Sequence, residues 1–199
     1  MSNLRISPSA IVETSAIVGA GTSIWHNTQI RNDAVIGEDC IIGKDVYVGS
    51  TVRIGNCCKI QNGAQLYEPA ILGNGVFIGP QVILTNDRTP RAINPDGTLK
   101  SAHDWKAVGV TIDDGASIGA NSTCIAPIRI GKWAMVGGSS VVIQDVPNYA
   151  LVVGNPAKQI GWVNALGERL IPQGENLFRC PSSNAIYSIV DGEPRIQNL

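Results

Sequence analysis

Aromatic residues make up only 5% of the 199-residue chain, and charged residues only 16%. Formal net charge is -1, with no run of Lys or Arg, so the electrostatic footprint of a nucleic-acid binder is missing. No apolar stretch is long enough to span a bilayer. The first residues, MSNLRISPSAIVE, lack the charged head and apolar run of a secretion signal, so a cytoplasmic protein is expected. There are two histidines, His26 and His103. The five cysteines (Cys40, Cys57, Cys58, Cys124, Cys180) form neither CxxC nor a zinc-ligand spacing. No metal site is expected. Cys40, Cys58 and Cys124 read as small core residues.

What the chain has in plenty is glycine, 22 residues, and aliphatic side chains at a fixed interval. Every sixth residue from Ile6 through Val12, Val18, Ile24 and onward to Leu84 is Ile, Val or Leu. Four residues beyond each comes a small or β-branched one: Ala10, Ala16, Thr22, Thr28, Ala34, Cys40, and so on to Val82. A helix needs apolar residues three and four apart, and a lone strand needs them two apart. A period of six fits neither. It fits a coil of short strands joined by tight corners, with the large aliphatic filling each flat side and the small residue at the turn. Gly37, Gly43, Gly55 and Gly79 follow the large residue, where they give the chain freedom of angle and close approach. Coils stacked with parallel strands about 4.8 Å apart then bury one another. The expected class is all-β, a parallel β-helix over residues 1–150.

The period stops after Leu84 and resumes at Ile112, Ile118, Cys124, Ile130, Val136 and Val142. That gap is not a multiple of six, so residues from about 86 to 110 leave the coil as a loop. Extended loops on a rigid solenoid carry function more often than the coils do. Beyond 150, Asn155 before Pro156 has the chemistry of a helix start. A helix over about Ala157–Leu170 is expected, followed by an extended tail to residue 199. In the tail, YSIVDGEPRI reads as a hairpin turning at Asp191-Gly192.

The period-six pattern, from Ile6 to about Gly161, resembles the hexapeptide-repeat acyltransferases. That resemblance implies a left-handed β-helix and side-by-side association of three chains. Five stretches, SIWHNTQI, GVFIGPQVILTNDRTPRA, IGANSTCIAPIRIGKWAMVGGSSVV, LVVGNPAKQIGW and RCPSSNAIYSIVDG, are similar to sugar-nucleotide N-acetyltransferases. In particular they resemble the group that acetylates the 3-amino group of UDP-2-acetamido-3-amino-2,3-dideoxy-glucuronate for O-antigen and related surface polysaccharides. The resemblance implies acetyl-CoA as co-substrate, a UDP-amino sugar as acceptor, a homotrimer, and a loop that walls the acceptor site between subunits. It also implies that Asn86 orients the acceptor amine. A carboxamide cannot act as a base at neutral pH, but it can hold an amine in place.

The repeat itself supplies a carboxylate. One coil of eighteen before Asn86 is Glu68, so Glu68 is the candidate base or amine anchor. Ser50 and Asn32 continue that column. Arg31, Arg88 and Arg91 are candidates to meet the anionic groups of such an acceptor, since guanidinium binds phosphate and carboxylate through paired donors. Coenzyme A, by the same resemblance, runs past Gly119, Ala120, Gly137 and Gly138, with Asn155 and Lys158 near its nucleotide end. Corner geometry alone is a sufficient account of those glycines. His26 falls at an early corner, far from the loop, and His103 in the loop itself. Two alternatives stay open: another nucleotide-linked amino sugar as acceptor, and a non-enzymatic solenoid scaffold. The scaffold explains the repeats but not the loop or GNPAKQIG. The gamma-type carbonic anhydrases of this fold need three zinc-binding histidines, and the chain has two.

Overall fold

The computed structural model describes residues 3–197. The repeats form a left-handed parallel β-helix, a three-sided prism of stacked coils. Sheet A stacks eight parallel strands from Arg5–Ile6 to Ala150–Gly154, with Ala157–Trp162 added antiparallel at the end. Sheet B stacks seven, from Ile11–Val12 to Val141–Val142, and sheet C six, from Ile17–Val18 to Ile128–Ile130. From Ile24 onward each two-residue strand buries its second residue, while Ile6 at the open end is exposed. Ile24, Ile30, Ile36, Ile42, Ile60, Leu66, Ile78 and Leu84 are fully buried, and so is the small series running from Thr22 to Val82. Both period-six series therefore line one continuous core. Cys40, Cys58 and Cys124 lie in it, and burial pushes the Cys124 thiol up to about 12.

The polar members of the small series pair with the coil that follows. Thr22 Oγ1 donates to the Gly37 carbonyl at 2.8 Å, and Thr28 Oγ1 to the Gly43 carbonyl at 2.7 Å. Thr28→Val keeps shape and loses that bond. It is expected to cost about 1–3 kcal/mol, read as a lower urea midpoint with an unchanged slope. An unchanged midpoint would show that the Gly43 carbonyl needs no partner there.

The glycines that directly follow the large residue serve close approach rather than unusual angles. A Cβ on Gly79 would come within 2.6 Å of the Ala120 backbone nitrogen in the next coil. The left-handed angles fall two residues later, on Asn27, Asp33, Asp39 and Asp45 with φ between 53° and 59°, types that tolerate that region, and on Gly21, Gly63 and Gly75 with φ between 65° and 74°.

The inserted loop is visible as a jump in register. Leu66 pairs with Leu84, eighteen residues on; Leu84 pairs with Cys124, forty residues on. Twenty-two residues are thus added to one coil. They leave after the Ile83–Leu84 strand and return before Val110–Ile112. The base is pinched by a bond from Val108 N to the Asn86 carbonyl at 3.0 Å. Near the tip, Ile93 and Leu99 bridge antiparallel and Asn94 N donates to the Thr98 carbonyl.

The helix expected over 157–170 does not form. Ala157–Trp162 is a strand, paired antiparallel to Ala150–Gly154, and Asn155-Pro156 is the turn between them. The last parallel strand of sheet A still offers an open edge, and folding back satisfies its backbone groups more completely than a helix would. The tail is also more ordered than expected. Ile171–Gly174, Leu177–Arg179, Ile186–Val190 and Glu193–Ile196 make an antiparallel sheet. Its last hairpin turns at Asp191 and Gly192, both with positive φ, as the sequence requires. No helix of the described residues is long and apolar enough to cross a membrane.

Candidate functional site

Three edges run the length of the prism. The edge that follows sheet B carries the loop. Register places Asn32, Ser50, Glu68 and Asn86 on it in successive coils, as the eighteen-residue spacing predicts. Beside them stand Glu13 and Arg31 of the first two coils, joined by an ion pair of 2.7 Å from Arg31 Nε to Glu13 Oε1. Both ends of that pair are substantially solvated, so it is worth little to stability. It does fix where the guanidinium sits.

Glu68 is the unusual group on this edge. Its residue is half-buried, yet Oε2 is fully buried and has no hydrogen-bond partner. The oxygen fills the space left by a missing side chain: a Cβ on Gly49, one coil below, would overlap it. A buried carboxylate oxygen without a donor is costly. The carboxylate's remaining hydrogen-bonding capacity lies on Oε1. Tyr47 and Tyr67 flank this spot, with ring centroids 5.3 Å apart and planes tilted by 46°. Burial holds the Tyr47 hydroxyl above its ordinary pKa, and the Glu68 charge adds to the effect while Arg31 opposes it. Glu13, Arg31, Tyr47, Tyr67 and Glu68 thus share one electrostatic neighbourhood.

Asn86 is half-buried at the loop's root, one coil above Glu68. Where the loop returns, Gly109 sits against Pro69, and a Cβ there would come within 2.5 Å of the Pro69 carbonyl oxygen. The loop therefore begins at Asn86 and ends over the residue after Glu68. Arg88 and Arg91 are exposed on it, and Arg91 lines a loop cleft of about 500 Å³ with Lys100. His103 is exposed on the loop.

The glycine-edge candidates lie on a different edge. Gly119, Ala120, Gly137 and Gly138 follow sheet A, and His26 occupies the same column as Ala120 several coils below. Asn155 and Lys158 are exposed at the end of sheet A. Lys158 borders a groove of about 270 Å³ with Gln144 and Asp145, which follow sheet B, so its groove stands at the upper end of the loop edge. Within one chain, sheet B separates Gly119, Ala120, Gly137 and Gly138 from Asn86 and Glu68. Among the described residues, no three His, Cys, Asp or Glu side chains gather as metal ligands.

Sequence reasoning missed Glu13, Tyr47 and Tyr67. The signal for Glu13 and Tyr67 was the same interval of eighteen: Glu13, Arg31, Gly49 and Tyr67 form the column beside Glu68.

Comparison with known proteins follows the repeats. Residues 33–67 and 51–86 match the model of the bacterial transferase hexapeptide (six repeats), and residues 109–143 match the hexapeptide repeat of succinyl-transferase. The dTDP-3-amino-3,6-dideoxy-alpha-D-galactopyranose 3-N-acetyltransferase of Aneurinibacillus thermoaerophilus is 56% identical over 52 residues, 26% of this chain and 27% of that protein. This chain spans 16–27% of the length of the curated relatives it matches. Among solved structures, LpxA of Bacteroides fragilis 9343, a UDP-N-acetylglucosamine acyltransferase, superposes with a TM-score of 0.65 at 21% identity. The match covers 80% of this chain and 61% of that one. The acetyltransferase domain of PglB from Neisseria gonorrhoeae FA1090, in complex with acetyl coenzyme A, gives 0.51 at 19% identity, over 80% of this chain and 58% of that one. These structural likenesses concern the fold.

Proposed function

We propose that this chain of bacterial transferase hexapeptide repeats is an acetyl-CoA-dependent N-acetyltransferase. Its acceptor is an amino group on a nucleotide-linked sugar, the 3-amino group of UDP-2-acetamido-3-amino-2,3-dideoxy-glucuronate, in the cytoplasmic synthesis of a surface polysaccharide. The observation that carries this reading is the loop root, where Asn86 and the part-buried Glu68 carboxylate stack on one edge. The match to a 3-N-acetyltransferase of an amino sugar supports it.

The chemistry is the transfer of acetyl from sulfur to nitrogen. The neutral amine attacks the thioester carbon, the carbon–sulfur bond breaks, and the nitrogen gives up a proton as coenzyme A leaves as its thiol. Asn86 orients the amine through its carboxamide oxygen. Glu68 receives the proton through the oxygen that is not sealed against Gly49. Coenzyme A runs along the edge of Gly119, Ala120, Gly137 and Gly138 toward Lys158. Because sheet B separates the two edges in one chain, the reaction centre forms between neighbouring copies, with one copy's loop edge facing the next copy's glycine edge. A homotrimer supplies three such centres.

Thiol release from acetyl-CoA with the UDP-amino sugar as acceptor tests the reading. Release with an acetyl mass added to the sugar supports it. Coenzyme A binding without release discards this sugar, and neither binding nor release favours the scaffold. Asn86→Ala is expected to lower turnover about 10²-fold while acetyl-CoA affinity, measured by calorimetry, stays put. Unchanged turnover would remove Asn86 from the site.

A further inference from the structure

Among the described residues, the hydrogen bonds at Asn86 are made by its backbone alone: Val108 N donates to its carbonyl at 3.0 Å. The aim of the Asn86 carboxamide therefore follows from the aim of its backbone, at the point where the chain leaves the prism for the loop. The residue before it ties that point down. Thr85 N donates to the Cys124 carbonyl at 3.0 Å, the ladder bond that Tyr67 N makes to Leu84 one coil below and Ile125 N makes to Val142 one coil above. Thr85 adds a bond that the repeat does not supply. Its Oγ1 accepts from Ala126 N at 3.0 Å.

Register places Ala126 one coil above Asn86, in the column of Asn32, Ser50 and Glu68. Ala126 is buried, with 1% exposure, so its N–H needs a protein partner. The column of Thr85 runs Glu13, Arg31, Gly49, Tyr67, Thr85, Ile125. Of these, Thr85 alone carries a hydroxyl on Cβ, where it can turn onto nearby backbone.

We infer that Thr85 is a positioning residue for the acetyl transfer: its hydroxyl pins the loop root to the coil above and sets the direction in which Asn86 presents its carboxamide to the acceptor amine. The inference rests on the proposed transfer at Asn86. The root is then held on three sides. Below, Gly109 packs on Pro69, the residue after Glu68. Across, Val108 N closes the loop on Asn86. Above, the Thr85 hydroxyl adds to the ladder bond. A shift of about 1 Å at a group that orients substrate can cost about 10²-fold in rate. Losing the hydroxyl while the ladder bond stays is expected to cost part of that, about tenfold.

Thr85→Val keeps the shape and removes the acceptor; Thr85→Ser keeps the acceptor. Thr85 is half-buried and its bond to Cys124 remains in both, so both fold, which a thermal melt verifies. Turnover is expected to fall about tenfold in Thr85→Val and to stay within about twofold of wild type in Thr85→Ser, with acetyl-CoA affinity unchanged in each. A double substitution separates positioning from packing. If Thr85 acts through Asn86, Thr85→Val adds less than about twofold to the loss in Asn86→Ala, whereas an independent structural role multiplies the two losses. Multiplied losses, or Thr85→Val turnover within about twofold of wild type, overturn the inference. Amide hydrogen exchange on the full chain reads the clamp without any chemistry. Val108 N–H is expected to exchange about tenfold faster in Thr85→Val and at the wild-type rate in Thr85→Ser, while Arg31 N–H, in a lower coil, keeps its rate in both. Val108 exchange unchanged in Thr85→Val also overturns the inference. A wild-type chain that transfers no acetyl, with Val108 exchange responding as expected, overturns the transferase reading and keeps the clamp on Asn86.

Discussion

Glu68→Gln is expected to lower acetyl transfer about 10²- to 10⁴-fold, the span typical of a lost general base, with acetyl-CoA affinity unchanged. The substitution is chosen for its shape. Glu68 Oε2 fills the cavity over Gly49, and a Cβ there would overlap it, so Glu68→Ala would open a void and confuse packing with chemistry. The carboxamide keeps the volume and removes the charge and the basic lone pairs. It also places either an oxygen or an NH₂ in the sealed position, and neither has a partner there, as Oε2 has none now. Folding should therefore change little, which a thermal melt would verify. A second readout separates a base from an amine anchor. As a base, Glu68 governs turnover, and Glu68→Gln lowers turnover with the Michaelis constant nearly intact. As an anchor for the protonated amine, it governs acceptor binding, and the loss appears mainly in the Michaelis constant. Wild-type turnover in Glu68→Gln would exclude both roles.

How much of this edge was legible beforehand follows from what repeats and what does not. A period of six fixes the inward residues, because each strand can bury only one side chain per turn of the coil. Ile24, Ile30, Ile36 and their successors are buried as that rule demands. A period of eighteen fixes the edges, and it brought Glu68 under Asn86 by counting alone. The same count places Arg31 one coil above Glu13, but counting says nothing about where side chains bend, so the ion pair and the tyrosine pair appear only in three dimensions. The helix expected after Pro156 fails for a related reason. The capping chemistry at Asn155 is a local preference, and tertiary pairing with the open edge of Ala150–Gly154 overrides it. The corner glycines teach the reverse lesson. Glycines that directly follow the large residue, such as Gly43 and Gly79, are there because the next coil touches them, while the left-handed position two residues later is taken by Asn, by Asp and, at Gly21, Gly63 and Gly75, by glycine for its freedom of angle.

That distinction makes Gly119 and Gly138 a paired experiment on the cofactor edge. Both are candidates for lining the coenzyme A path, but their surroundings differ. A Cβ on Gly119 would lie 2.5 Å from the Gly138 nitrogen and 2.8 Å from the Gly137 carbonyl carbon. These are backbone atoms, and the coils on either side are locked: Gly119 N donates to the Val136 carbonyl at 2.7 Å and Ser139 N to the Ala120 carbonyl at 2.8 Å. Relief would require prying two coils apart, so Gly119→Ala is expected to cost about 2–4 kcal/mol, whatever the ligand. On Gly138 a Cβ would meet the Ala120 carbonyl oxygen at 3.3 Å and its nitrogen at 3.9 Å, and a small shift accommodates it. Gly138→Ala should therefore fold with a urea midpoint close to wild type. Any effect it has must come from the outer surface, where its methyl group would stand in the proposed path of the pantetheine. The expected outcome is a coenzyme A affinity lowered about tenfold in Gly138→Ala without a change in acceptor affinity, since the proposed acceptor site lies on the other edge. If Gly138→Ala binds coenzyme A as well as wild type does, the corner glycines answer to packing alone, and the cofactor path moves toward the groove beside Lys158.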